Sequence, residues 1–207
     1  MIKRDFMDVV QASHEYLTEI LKPGDLAVDL TVGNGKDSLF LWHAVGPMGC
    51  VIGFDIQETA LQNAAALLIK NGSDAALYID KPVPEFLAAG AHLILADHAG
   101  WPDYVESTPK AVIANLGYLP GSDHSITTQI PSTISALKGA FERLPPGGRL
   151  AVVCYVGHPG GREEAEAVEE LFQEAGKGSF RVTKTANESA RDAPFLMVAE
   201  KTVTGDS

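Results

Sequence analysis

Two cysteines in 207 residues leave this chain without a disulfide framework. Cys50 and Cys154 lie far apart in apolar surroundings, so they read as buried free thiols, and a reducing cytoplasm is the expected compartment. Long apolar runs are missing: nothing approaches the ~20 residues of a membrane helix, and residues 1–6 lack the apolar stretch of a signal peptide. No membrane contact is expected. Histidines, cysteines and acids do not cluster at metal-ligand spacing, so no metal is expected either. Positive charge is scarce, with 16 Lys and Arg against 27 Asp and Glu, a net charge of −11. That balance excludes a broad basic surface for gripping nucleic acid. It leaves room for a local patch drawn from Lys3, Arg4, Lys36, Arg162 and Arg191. Repeats, low-complexity tracts and linkers are lacking too. One domain over 1–207 is therefore expected, with a helix at 6–21 ahead of a core at 25–202.

What is present is an alternation of strand-like and helix-like segments, the pattern of an α/β fold with a mainly parallel sheet. Apolar strands are predicted at 26–30, 50–54, 92–96, 110–115 and 149–156. Helices are predicted at 37–44, 58–70, 133–144 and 163–175. An antiparallel pair at 180–185 and 195–201 completes seven strands. The stretch 73–90 is the least legible; it holds Pro82 and Pro84 and at most one short helix.

The first strand runs into Asp29-Leu30-Thr31-Val32-Gly33-Asn34-Gly35-Lys36-Asp37. A glycine loop between strand and helix lets backbone approach a ligand, and the helix start offers free N–H groups. Neither a P-loop nor the dinucleotide fingerprint is present, because Ser38 stands where a third glycine would be. An acid at Asp29 suits a cationic group, such as the amino end of S-adenosylmethionine, and would repel a pyrophosphate. The second strand ends in Asp55-Ile56-Gln57, an acid placed to accept from ribose hydroxyls. The third ends in Asp97-His98, where a carboxylate could accept from an adenine amino group. Three acids at three successive strand ends face the carboxyl edge of the sheet, where such sheets bind ligands. Together they favour an adenosyl cation over a dinucleotide. Thr31 stands where the usual class I methyltransferase loop has glycine.

The fourth strand ends in Asn115-Leu116-Gly117-Tyr118-Leu119-Pro120, similar to the Asn-Pro-Pro-Tyr motif of methyltransferases that modify exocyclic amines. A nitrogen nucleophile must aim its lone pair at the methyl, so Asn115 would accept its N–H and Tyr118 would stack on the base. Asp123 and His124, in the polar run that follows, could take a proton from an ammonium substrate or cap the next helix. His158, in Gly157-His158-Pro159-Gly160-Gly161, is predicted to face the same edge. His14, His43 and His92 show no partner in the sequence and read as surface or packing residues.

The strings Asn115-Leu116-Gly117-Tyr118-Leu119-Pro120-Gly121 and Gly157-His158-Pro159-Gly160-Gly161, with the 29–37 loop, resemble the YtqB family, long labelled rRNA methylases. The resemblance covers nearly the whole chain. It implies a class I S-adenosylmethionine-dependent methyltransferase, a Rossmann-like three-layer sandwich with a seven-stranded sheet. It also implies N-methylation of 5-aminomethyl-(2-thio)uridine at the tRNA wobble position, with the anticodon stem-loop as partner and a homodimeric enzyme. One base turned out of a stem-loop needs only a local basic patch and a stacking pocket. The alternatives are an rRNA or small-molecule methyltransferase on the same cofactor, a nicotinamide-dependent oxidoreductase, and a non-catalytic nucleotide-binding module.

Overall fold

The computed structural model describes residues 9–79, 83–84, 88–117, 128–186 and 193–202. In chain order the elements are α1 (Val9–Thr18), β1 (Leu26–Asp29), α2 (Lys36–Val45), β2 (Cys50–Asp55), α3 (Glu58–Lys70), β3 (Ala75–Tyr78) and β4 (Gly90–Leu95). A 3₁₀ turn at His98–Asp103 follows, then β5 (Ala111–Leu116), α4 (Ile130–Arg143), β6 (Arg149–Cys154), α5 (Gly161–Gly176), β7 (Phe180–Ala186) and β8 (Phe195–Lys201). The strands form one sheet in the order β3-β4-β2-β1-β5-β6-β8-β7. Only β8 runs against its neighbours, β6 on one side and β7 on the other, among the described residues.

The strands are apolar on both faces because helices cover both. Side chains alternate across the sheet. Ala27, Ile113, Val153 and Val198 pack with Leu17 of α1 and Leu41 of α2. Their neighbours Val28, Val112, Val152 and Met197 pack on the opposite side with Leu137 of α4, Phe172 of α5 and Trp101. Leu61 and Leu68 of α3 close over Ala91 and Leu93 of β4. The result is three layers, helix, sheet and helix.

After β1 the chain builds outward through β2, and β4 reaches only that side; β5 then returns to pair with β1 from the other side. The β1–β5 junction is thus the point where the strand order reverses, and a crevice opens beyond its carboxyl ends.

The sheet has eight strands where the sequence pattern indicated seven. The additional strand, β3, falls in the stretch read as at most one short helix, and it pairs in parallel with β4 from Ala75↔Ala91 to Tyr78↔Ile94. Four residues are too few to show a period. Pairing holds them, and the Tyr78 hydroxyl lies 3.1 Å from His92 Nδ1. α4 begins at Ile130 rather than at 133, because Pro131 is tolerated in a first helical turn. The helix expected at 6–21 is described as Val9–Thr18.

Candidate active site

A cavity of about 670 Å³ opens at the carboxyl edge of the sheet. Thr31, Gly33, Asn34, Lys36 and Asp37 line it from the β1–α2 loop. Asp55, Ile56 and Gln57 line it from the end of β2, and Asp97 and His98 from the end of β4. Asn115 and Gly117 enter from β5, Thr128 and Gln129 from the start of α4, and Tyr155 and His158 from the end of β6. Residues named from sequence on five strand ends therefore meet at one site. Tyr118, Asp123 and His124 lie outside the described residues.

Asp29 corrects the expectation. It was read as facing a cationic ligand, but it is 1% exposed and is absent from the cavity lining. Its Oδ1 accepts from the Thr31 N–H at 3.0 Å and its Oδ2 from the Ser38 hydroxyl at 2.6 Å. Burial, reinforced by the charge of Asp37, pushes its carboxyl up to about 7. Ser38, which breaks the dinucleotide fingerprint, is thus the hydroxyl that ties Asp29 into the loop. The acid presented to the cavity from this segment is Asp37, 8% exposed.

Gly35 also leaves the lining, for a steric reason. Its φ is +76°, and a Cβ there would lie 2.6 Å from the Cβ of Ala64. The glycine lets the start of α2 sit against α3, so it shapes the loop without touching the cavity.

Asp55 accepts from Gly33 N–H at 2.8 Å and from Gln57 N–H at 2.9 Å. One carboxylate thereby fixes the glycine loop and its own strand end. Burial raises its pKa, and the backbone N–H bonds pull the other way. Asp97 is exposed at the rim and caps the 3₁₀ turn by accepting from Ala99 N–H at 2.8 Å. His98 is driven toward the neutral form by burial, against the charge of Asp97, and its buried Nε2 has no hydrogen-bond partner among the described residues.

At β5 the Asn115 N–H donates to Thr31 Oγ1 at 2.7 Å. This explains the threonine in place of glycine: its hydroxyl ties the β1 loop to β5. The Asn115 amide donates from Nδ2 to Asp37 Oδ2, and its buried Oδ1 has no hydrogen-bond partner among the described residues. Asp37 Oδ1 accepts from His14 Nε2 at 2.6 Å. His14 and His92, read as partnerless, both have partners; Nε2 of His92 lies 2.8 Å from the carbonyl of Ala88.

Sequence reasoning missed Glu164. It is 3% exposed in the first turn of α5 and accepts from the hydroxyls of Thr128 at 2.7 Å and Thr133 at 2.6 Å. Thr128 Oγ1 in turn accepts from Gly117 N–H at 3.0 Å, and Gly117 O accepts from Thr128 N–H at 3.0 Å. The backbone of Gly117, with φ +143°, passes close to the ring of His158. A signal was available: Glu164, Val168 and Phe172 share one helical face, and an acid on an apolar stripe needs buried partners.

The family model described as "Putative rRNA methylase" matches residues 51–200. The chain belongs to this family. A relative described as tRNA (mnm(5)s(2)U34)-methyltransferase, chloroplastic, of Arabidopsis thaliana is 36% identical over 166 residues, which cover 77% of this chain. The match spans 57% of that relative's length. A solved "putative rRNA-methylase" of Clostridium thermocellum superposes with a TM-score of 0.83 at 37% identity, covering 95% of this chain and 99% of that one. A "putative methyltransferase" of Streptococcus mutans, solved in complex with SAH, gives 0.78 at 33%, covering 97% and 99%. The architecture is the α/β class I methyltransferase fold, and these solved structures superpose on nearly all of it. No helix among the described residues is long and apolar enough to cross a membrane.

Proposed function

We propose that this family member is an S-adenosylmethionine-dependent N-methyltransferase, and that its acceptor is the amino group of 5-aminomethyl-(2-thio)uridine at the tRNA wobble position. The observation that carries the reading is the Asn115 amide, which lines the cavity with a buried carbonyl oxygen that has no hydrogen-bond partner among the described residues. A buried acceptor without a donor is costly unless a ligand supplies one. An amine N–H is such a donor. The name of the Arabidopsis thaliana relative supports the same acceptor.

The cavity suits the cofactor chemically. Asp55 at the end of β2 offers a carboxylate to ribose hydroxyls, Asp97 one to an adenine amino group, and Asp37 a negative charge to an amino terminus. Gly33 and Asn34 bring backbone close to it. When bound, S-adenosylmethionine supplies an electrophilic methyl group on a sulfonium sulfur. Asn115 holds one N–H of the amine and thereby aims the nitrogen lone pair. A primary alkylamine enters mostly as ammonium and must lose one proton before the N–C bond can form and the C–S bond break. His158 and His98, which line the cavity, are our candidates for that proton, with Asp123 and His124 from the sequence. Lys36 is the one lysine or arginine among the described lining residues, a local cation for a phosphate in an otherwise acidic protein.

The test is methyl transfer to tRNA from a strain that lacks the terminal wobble methylation, read by nucleoside mass spectrometry. Conversion of aminomethyluridine to methylaminomethyluridine is expected. Unchanged aminomethyluridine, with methyl appearing on rRNA or a small molecule, would overturn the tRNA reading.

A further inference from the structure

We infer that His14, Asp37 and Asn115 form a positioning relay, in which a carboxylate held by the N-terminal helix fixes the Asn115 amide with its carbonyl oxygen toward the acceptor amine. The inference rests on the proposed N-methylation and assigns His14 and Asp37 as positioning residues for it.

A side-chain amide has two nearly isosteric faces. Turning it by half a rotation exchanges a donor for an acceptor. Holding an amine N–H requires the acceptor face, so an Asn115 that turned freely would present the wrong face much of the time. An ionised carboxylate only accepts, so Asp37 Oδ2 selects Nδ2. A flip would set Asn115 Oδ1 against the Asp37 carboxylate and expose two donors to the amine. Electrostatics therefore fixes the orientation in one sense, and the oxygen left over is the buried, unpartnered Oδ1.

Asp37 is itself held. His14 Nε2 donates to its other oxygen over 2.6 Å, and the His14 ring stacks on Phe40 with centroids 3.9 Å apart and planes 6° from parallel. Thr31 Oγ1 pins the Asn115 backbone. Helix α1 packs on β6 and β8 and contributes nothing to the sheet; through His14 it is linked to the reacting edge. His14 does not line the cavity, so its substitution tests the relay without removing a ligand contact.

In His14→Phe, which keeps an aromatic ring against Phe40 and loses the donor, kcat should fall about 10-fold, with the KM for tRNA and the calorimetric Kd for SAH within about twofold of wild type. His14→Gln, which restores a donor, should recover most of that loss. Asp37→Asn, which can offer Asn115 either face, should lower kcat by about 100-fold or more. Unchanged kcat in a folded His14→Phe protein would overturn the relay. So would an Asp37→Asn protein that weakens SAH binding but keeps kcat at saturation, since Asp37 would then serve the amino end of the cofactor alone. A readout free of activity is the Asn115 side-chain amide in nitrogen–proton NMR, assigned by its loss in Asn115→Ala. One proton held downfield and slow to exchange is expected; an averaged, fast-exchanging amide would overturn the relay even if no His14 variant folds. Wild-type protein that leaves aminomethyluridine untouched would fail the functional reading while leaving the NMR result to stand or fall separately.

Discussion

The two halves of the cavity are built by different means. On the β1–β2 side, carboxylates bind backbone N–H groups: Asp29 holds Thr31, and Asp55 holds Gly33 and Gln57. On the β5–β6 side, side chains bind side chains from remote segments: Asn115 to Asp37, Asp37 to His14, Glu164 to Thr128 and Thr133. The first half is a loop braced on itself, which suits a ligand common to a fold. The second is assembled from four helices and a strand end, which suits an acceptor that differs between families. If that division is right, substitutions on the acceptor side should cut turnover and spare cofactor binding, and substitutions on the loop side should strike folding and cofactor affinity together.

Asn115→Ala should give the largest effect. It removes the acceptor that aims the amine, so kcat should drop by about 10²–10³-fold, the range for loss of one orienting polar group. Calorimetry should still show SAH binding near the wild-type Kd. Loss of binding in step with turnover would erase the distinction between the halves. Gly35→Ala is the matching change on the loop side. It forces a Cβ to within 2.6 Å of Ala64 at a φ of +76°, so α2 or α3 must shift. A loss of about 2–4 kcal/mol in urea unfolding, with weaker SAH binding, is expected.

The same division explains what could be read from the sequence. The loop half was legible because its glycines and strand-end acids recur at fixed offsets. Even there the direction of Asp29 was misread: the sequence shows that an acid follows a strand, and only packing shows that Ser38 and the Thr31 N–H claim both oxygens. In the acceptor half, Asn115, Thr31 and Asp37 are named by their strings, but the bonds that join them, and His14 behind Asp37, are not. His14 and Asp37 are separated by an entire strand, and Glu164 lies in a helix whose exposed face is rich in acids. No local pattern marks which acid turns inward, although its place on the stripe with Val168 and Phe172 gives the clue. The fold was legible nearly throughout, because apolar strands alternating with amphipathic helices admit few arrangements; β3 escaped because four half-buried residues carry no period.

Glu164→Ala sharpens the comparison at a middle magnitude. It leaves the hydroxyls of Thr128 and Thr133 without their acceptor in a buried setting, for a loss of about 1–3 kcal/mol in urea unfolding. Thr128 also brackets Gly117 at the mouth of the acceptor side, so the KM for tRNA should rise while SAH affinity holds. Glu164→Gln, which keeps one acceptor oxygen, should recover part of both. An Ala variant with a changed SAH affinity and an unchanged KM for tRNA would place Glu164 with the loop half.

The smallest effect on turnover belongs to Asp29, whose signature is a slope of stability in pH. Its folded pKa is raised from 3.8 to about 7, chiefly by burial. An acid with a raised folded pKa binds its proton more tightly in the native state, so its contribution is fully present below about 4 and is lost as pH rises toward about 7. Above that range both states are ionised and the contribution is flat. Asp29→Asn keeps an oxygen for the Thr31 N–H, and the Ser38 hydroxyl can accept from the new amide. Wild-type stability measured against Asp29→Asn should therefore decline from pH 4 to 7 and then level off. A difference that stays flat across that window would mean Asp29 is ionised in the folded protein. The loop would then hold a second fixed negative charge beside Asp37, and the inward turn of Asp29 would no longer separate it electrically from a cationic ligand.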